Sequence, residues 1–266
     1  MMQEGIGEPD KQIVLADLAC DRFSEEGWTK TAVHLPREMG LTIYVNQQEL
    51  LTILCTPSKL NYLVLGFLYA EGIITRISDV VMMRVCEDDA LADVRLKDSA
   101  YVLPTKRTLA SGCGGGSVFK TEGQRIESDL VAKPEDVLSL MRQMQEEMDL
   151  YRLSGGVHTS ALSDKENLLV MAEDIGRHNT LDKIQGECLM RGIPTRDRLL
   201  LTTGRISSEM LLKAASMQVP LVVSRHSPTG GALSLARELG ITLVGHVRGR
   251  SLLVYTHPER LGRAAS

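Results

Sequence analysis

The sequence predicts an α/β protein in two unequal parts, and three observations predict it. From residue 157 onward, short apolar runs alternate with amphipathic stretches of helical spacing. That is the pattern of βαβ units, with parallel strands in a sheet covered on both faces. Before residue 110, apolar residues alternate with period two around a single helical stretch, which reads as a smaller α+β layer. Between the parts lies Ser111-Gly112-Cys113-Gly114-Gly115-Gly116-Ser117, four of whose seven residues are glycine. No helix or buried strand holds such a run without a penalty. The expected division is an N-terminal α+β domain at 1–110, a glycine-rich cysteine loop and linker at 111–134, and an α/β domain at 135–266.

Residues 1–28 carry no clear period and are expected to be a partly ordered lead-in. A β pattern starts at Thr31. Leu41, Ile43 and Val45 alternate, and Leu51, Ile53 and Cys55 follow the polar Asn46-Gln47-Gln48 turn, so a hairpin is expected with Cys55 in its core. Pro57-Ser58 then opens a helix. Leu60, Leu63, Val64, Phe67 and Leu68 fall at helical spacing, and Gly72 stops it. Residues 81–85 and 94–96 read as strands across the acidic Glu87-Asp88-Asp89 turn, and 101–103 is a further candidate.

Lys133-Pro134-Glu135-Asp136 is a helix start, because proline suits the first turn and carboxylates suit the positive end of the helix dipole. Val137, Met141, Met144 and Met148 continue one face. Residues 157–162 and 168–172 read as a hairpin, and a helix runs from near Arg177 to about Arg191. There follow a strand at 199–201, a helix at 206–217, a strand at 221–223 and a helix at 228–239 stopped by Gly240. Strands at 241–244 and 252–255 end the pattern.

Composition excludes several classes. Thirty lysines and arginines face 34 aspartates and glutamates, for a net charge of −4. That balance argues against a general nucleic-acid binder. Aromatics are 4% of residues, too few for a base-stacking platform on single strands. No apolar run approaches the ~20 residues of a membrane span. No leader pattern precedes the domain, so a soluble cytoplasmic protein is expected. The five cysteines are widely spaced with no C-x-x-C, which excludes a zinc ribbon or a dithiol of the thioredoxin kind and fits a reducing compartment.

In an open α/β sheet, ligands bind outside the carboxyl ends of the strands. Those ends carry Thr202-Thr203-Gly204-Arg205, then Ser224-Arg225-His226-Ser227, then Gly245-His246-Val247-Arg248-Gly249-Arg250. Each combines small or hydroxyl residues with arginine, and the first two precede helix N-termini, where free N–H groups attract anions. A phosphorylated ligand is expected there. Neither G-x-G-x-x-G nor a P-loop is present, which disfavours an ordinary Rossmann or NTPase site. Cys113 is flanked by Lys106, Arg107 and Lys120, and nearby cations favour the nucleophilic thiolate. An ordinary glycine-rich linker is the competing reading. His158 and the Glu173-Asp174…Arg177-His178 cluster suit either a general base or a hydrogen-bonded helix start.

Several stretches together carry a resemblance. They are Ser111-Gly112-Cys113-Gly114, Gly155-Gly156-Val157-His158, the run from Glu173-Asp174-Ile175-Gly176-Arg177-His178-Asn179 to Asp182-Lys183, Gly204-Arg205-Ile206-Ser207-Ser208-Glu209, and Val254-Tyr255-Thr256-His257-Pro258. The chain resembles the formate dehydrogenase accessory sulfurtransferases, the FdhD family. The resemblance implies a C-terminal cytidine-deaminase-like three-layer domain. It implies a sulfurtransferase that takes sulfur from a cysteine desulfurase as a persulfide on Cys113. The acceptor would be the molybdenum or tungsten bis-molybdopterin guanine dinucleotide of formate dehydrogenase, with GDP as a mimic.

The implied cofactor-binding segment falls on His246, Val247, Arg248, Gly249, Arg250 and Ser251, and Arg205, Ser224 and Arg225 join it from the strand ends. Family members commonly carry C-x-x-C in the cysteine loop, but Gly116 stands at the second position here. One thiolate suffices for a persulfide, whereas release through an internal disulfide is lost. The deaminase zinc ligands P-C-x-x-C are missing, so deamination is not expected. A homodimer is expected from the apolar helix faces and the methionine-rich segment. A binding module that holds the guanine dinucleotide without sulfur chemistry is the alternative reading.

Overall fold

Alternation between Leu41 and Cys55 builds the smaller sheet as expected. In the computed structural model, which describes residues 13–101, 108–109, 117–118 and 125–263, this stretch follows a longer strand pair. Strand β1 (Val14–Ser24) lies where a lead-in was expected and forms an antiparallel ribbon with β2 (Gly27–Pro36), which covers the start of the β pattern expected from Thr31. Leu15, Leu18, Phe23, Trp28 and Leu35 are all exposed on it. With neither face buried, nothing imposes a two-residue period on the sequence. Only its base packs, with Val14 against Leu150 and Val157.

Strands β3 (Met39–Val45) and β4 (Gln48–Cys55) pair antiparallel across Asn46 and Gln47, both at positive φ. Helix α1 (Leu60–Ala70), β5 (Val80–Cys86) and β6 (Leu91–Leu96) complete the layer, in the order β4-β3-β6-β5. Leu60, Leu63, Val64, Phe67 and Leu68 bury the apolar face of α1 against this sheet, with Cys55 in the same core. Tyr101 lies in no strand, and residues 102 and 103 fall outside the described residues. Two short strands, β7 (Thr108–Leu109) and β8 (Ser117–Val118), pair antiparallel. Cys113 lies between them in sequence and outside the described residues.

The second half contains α2 (Pro134–Glu147), α3 (Asp149–Ser154), β9 (His158–Ser163), β10 (Leu168–Asp174), α4 (Arg177–Arg191), β11 (Leu199–Thr202), α5 (Ser208–Ser216), β12 (Leu221–Ser224), α6 (Gly230–Leu239), β13 (Thr242–Arg248) and β14 (Ser251–Val254). Its six-stranded sheet runs β10-β9-β11-β12-β13-β14. Only β11, β12 and β13 are parallel. The sheet is therefore mixed rather than wholly parallel, because the β9–β10 and β13–β14 hairpins add antiparallel edges. Helices α4, α5 and α6 bury one face and α2 the other. The result is a mixed α/β fold with several sheets and six helices.

The two halves join where α1 crosses α4. A Cβ on Gly66 would lie 1.8 Å from the Asp182 carbonyl oxygen, and one on Gly186 would lie 1.9 Å from that of Tyr62. Only glycine permits this approach. Among the described residues no helix is long and apolar enough to cross a membrane.

Candidate functional site

The carboxyl ends of β11, β12 and β13 open into a cleft of about 470 Å³. Thr203 follows β11, Arg225 and His226 follow β12, and Arg248 ends β13; all four line it. The facing wall is Tyr151 of α3 with Gly155, Gly156, Val157 and His158 of the turn into β9. Among the described residues no carboxylate is in this lining, so Arg225 and Arg248 give the cleft a positive charge that suits an anion.

Small hydroxyl side chains shape the loops around it. Ser224 Oγ donates to the Gly204 carbonyl at 2.7 Å and accepts from the His226 N–H at 2.9 Å. Thr202 Oγ1 accepts from the Gly204 N–H at 3.0 Å, and Thr203 Oγ1 accepts from the Thr159 N–H at 3.0 Å. Burial, with Arg177 and His226 nearby, holds the His158 imidazole below its usual range, so the ring enters the cleft uncharged at neutral pH.

The predicted ligand residues separate accordingly. Arg225 and Arg248 reach the cleft. Ser224 is buried and its hydroxyl is spent on the loops. Arg205 and Arg250 are exposed and outside the cleft lining. Val247 is 2% exposed and packs in the core beside α2. His246 sits at φ 52, at a register shift between Gly245 and Arg248, with its ring 6.5 Å from that of Tyr255. Gly249 turns the chain at φ 56, and Ser251 Oγ donates to the Arg248 carbonyl. Tyr151 had no sequence signal, because six residues of α3 are too few to show a helical period.

The Glu173–Lys183 run is architectural at most of its positions. Glu173 accepts from the N–H groups of Leu150 and Tyr151, both at 2.9 Å, which caps α3, and from Thr159 Oγ1 at 3.0 Å. Asp174 accepts from the Thr56 N–H at 3.0 Å, the Gly176 N–H at 2.8 Å and Asn179 Nδ2 at 2.8 Å. Its Oδ2 lies 2.6 Å from Lys183 Nζ. Asp174 ties the two halves together through Thr56, Glu173 fixes α3 within the larger half, and both carboxylates are engaged by these hydrogen bonds.

His178 lies 3.4 Å from Glu209 Oε2 and 3.5 Å from Ser207 Oγ, through Nε2. Burial first, and then Lys213, Arg177 and His158, push its pKa from 6.5 down to about 3. Burial also raises that of Glu209. The contact is thus that of a neutral imidazole. The ring can charge in the unfolded chain below 6.5 but not in the folded one until about 3, so stability is complete above 6.5 and falls as pH drops through that window. At pH 5 the expected loss is about 2 kcal/mol from this group alone. Urea unfolding at pH 7 and pH 5 should show His178→Gln losing less stability than the wild type by that amount.

Among the described cysteines, Cys55 and Cys188 are buried, and burial pushes both thiols up to about 12. Cys86 Sγ donates to Asp89 Oδ2 at 3.1 Å.

Residues 36–262 match the family described as FdhD/NarQ. The chain belongs to the FdhD/NarQ family. The match contains every residue that lines the cleft. "Sulfur carrier protein FdhD" of Bacillus subtilis is 40% identical over 252 residues, covering 90% of this chain and 95% of that one. Its namesake from Staphylococcus haemolyticus is 37% identical over 256 residues, covering 93% and 97%. A crystal structure from Desulfotalea psychrophila, described as a formate dehydrogenase accessory protein, superposes with a TM-score of 0.79 at 24% identity, covering 94% of this chain and 99% of that chain.

Proposed function

We propose that this FdhD/NarQ chain is a sulfur carrier for formate dehydrogenase. Its relatives at about 40% identity are named sulfur carrier proteins. The observation that carries the chemical reading is the state of the thiols. Cys55 and Cys188 are buried with thiols near 12, far from the thiolate that sulfur transfer needs. Cys113 alone has glycines on both sides and Lys106, Arg107 and Lys120 nearby in sequence. The Cys113 thiolate attacks the outer sulfur of a cysteine desulfurase persulfide. A new S–S bond forms, the desulfurase S–S bond breaks, and the desulfurase cysteine leaves as thiolate. With Gly116 at the second loop position, later release as sulfide takes two external thiols, which leave joined as a disulfide while Cys113 returns to its thiol.

The molybdenum or tungsten bis-guanine dinucleotide is the substrate of the second half-reaction. Among the described residues the lining holds Arg225, Arg248, His158 and His226 and no carboxylate, which suits its diphosphates. A cleft of about 470 Å³ has the size for one small-molecule ligand and so for one nucleotide arm. The three layers around the six-stranded sheet support the deaminase-like arrangement, with the N-termini of α4 and α5 meeting at His178 and Ser207. Sulfur exchange of this kind belongs in a reducing cytoplasm, and a homodimer remains the expected assembly.

Intact-mass measurement after incubation with a desulfurase and cysteine tests the carrier role. The wild type should gain one sulfur that reductant removes, and Cys113→Ala should gain none. Gain by Cys113→Ala, or no gain by a folded wild type, would overturn it. The second outcome, with GDP still bound, would favour the binding module, which Gly116 keeps open.

A further inference from the structure

We propose that Tyr151 is the base-stacking residue of the cleft, holding the flat ring of the nucleotide whose phosphates Arg225 and Arg248 take. This rests on the reading that the ligand is a guanine nucleotide. The cleft has two chemically different walls. One comes from the strand ends, where Arg225 and Arg248 make it cationic and His226 stands beside them. The other comes from the turn between α3 and β9, where Tyr151 stands beside the backbone of Gly155 and Gly156. A nucleotide has the matching asymmetry, an anionic tail and a planar base.

Tyr151 is the only phenylalanine, tyrosine or tryptophan among the described lining residues, and it packs against Val14, Leu150 and Val157. It is half-buried and held from both ends of its short helix. Its N–H donates to Glu173 Oε1 at 2.9 Å, and its carbonyl accepts from the Gly155 N–H at 2.8 Å. A ring on a fixed backbone, with two side-chain torsions, loses little freedom when a base settles on it. The neighbouring glycines leave bare backbone next to Tyr151. Gly155 turns at φ 67, and a Cβ on Gly156 would lie 2.9 Å from Pro36 Cγ, so no side chain fits there. A flat ring can approach bare backbone closely. Thr203 and the two histidines complete the lining.

Calorimetric titration of the full chain with GDP and, separately, inorganic pyrophosphate tests this. Loss of one base stack corresponds to a roughly 5- to 150-fold weaker affinity. Tyr151→Ala should weaken GDP by that range and leave pyrophosphate within twofold, while Tyr151→Phe should match the wild type for both. Equal weakening of both ligands, or unchanged GDP affinity, would overturn the stacking role while the nucleotide reading stands. A wild type that binds pyrophosphate but not GDP would overturn both. Should Tyr151→Ala melt early, Tyr151→Trp carries the test. GDP should then quench its fluorescence over the constant signal of Trp28 and pyrophosphate should not; absence of GDP quenching overturns the proposal.

Discussion

Lys183→Met is expected to lower the unfolding free energy by about 3–5 kcal/mol, the cost of breaking a buried ion pair on one side. The side chain is 0% exposed, and its Nζ lies 2.6 Å from Asp174 Oδ2. The same ammonium donates to the Thr56 carbonyl at 3.1 Å, to Ser58 Oγ at 3.3 Å and to the Glu173 carbonyl at 3.2 Å. Methionine fills similar space but leaves a buried carboxylate and two carbonyls short of a donor. Because Thr56 and Ser58 belong to the smaller half and Glu173 to the larger, the loss falls on the seam between them. Lys213 and Asp182, 2.6 Å apart beneath Phe67 of α1, form a second buried pair on the same seam. Urea unfolding measures the effect, and Lys183→Met with Asp174→Asn should recover part of it, since no uncompensated charge then remains. A loss under 1 kcal/mol for the single variant would mean that water reaches the pair.

Much of this architecture was legible because burial leaves a period in the sequence. Helix α1 shows it in Leu60, Leu63, Val64, Phe67 and Leu68, all buried against one sheet. Strands β11 and β12 show it as apolar runs buried on both faces. Strand β1 and its pairing with β2 were not legible, since Phe23 and Trp28 are 67% and 73% exposed and no face is selected. The Glu173–Lys183 run was visible as a cluster of charge, but its work was not. What Asp174 does depends on Thr56, 118 positions earlier. The site was legible to the level of loops and no further. Sequence places Val247 and Arg248 side by side at the end of β13, but the sheet sends them apart, one into the core and the other to the cleft. The strand period dictates that separation once the face is known. The face is fixed by α2, whose packing no single loop residue reveals.

That distinction yields the sharpest test of the cleft. Arg225→Ala with Arg248→Ala should weaken GDP at least about 100-fold, since each truncated charged hydrogen bond costs about 1.5–3 kcal/mol. Pyrophosphate should weaken alongside, because the loss falls on phosphate recognition. The salt dependence should flatten as well, for the two arginines supply much of the attraction that salt screens. Arg205→Ala with Arg250→Ala removes the same formal charge from exposed positions outside the cleft lining. Arg248 is exposed as well, so the pairs differ in whether they line the cleft. Outside the lining, Arg205 and Arg250 act on the ligand only at long range, where salt screens them, so affinity should stay within about threefold at physiological salt. Calorimetry at two salt concentrations separates the pairs. Equal losses from both would mean that the phosphates lie across the loop tips. In that case the ligand would rest on the N-termini of α5 and α6 rather than between Arg225, Arg248 and the α3–β9 wall.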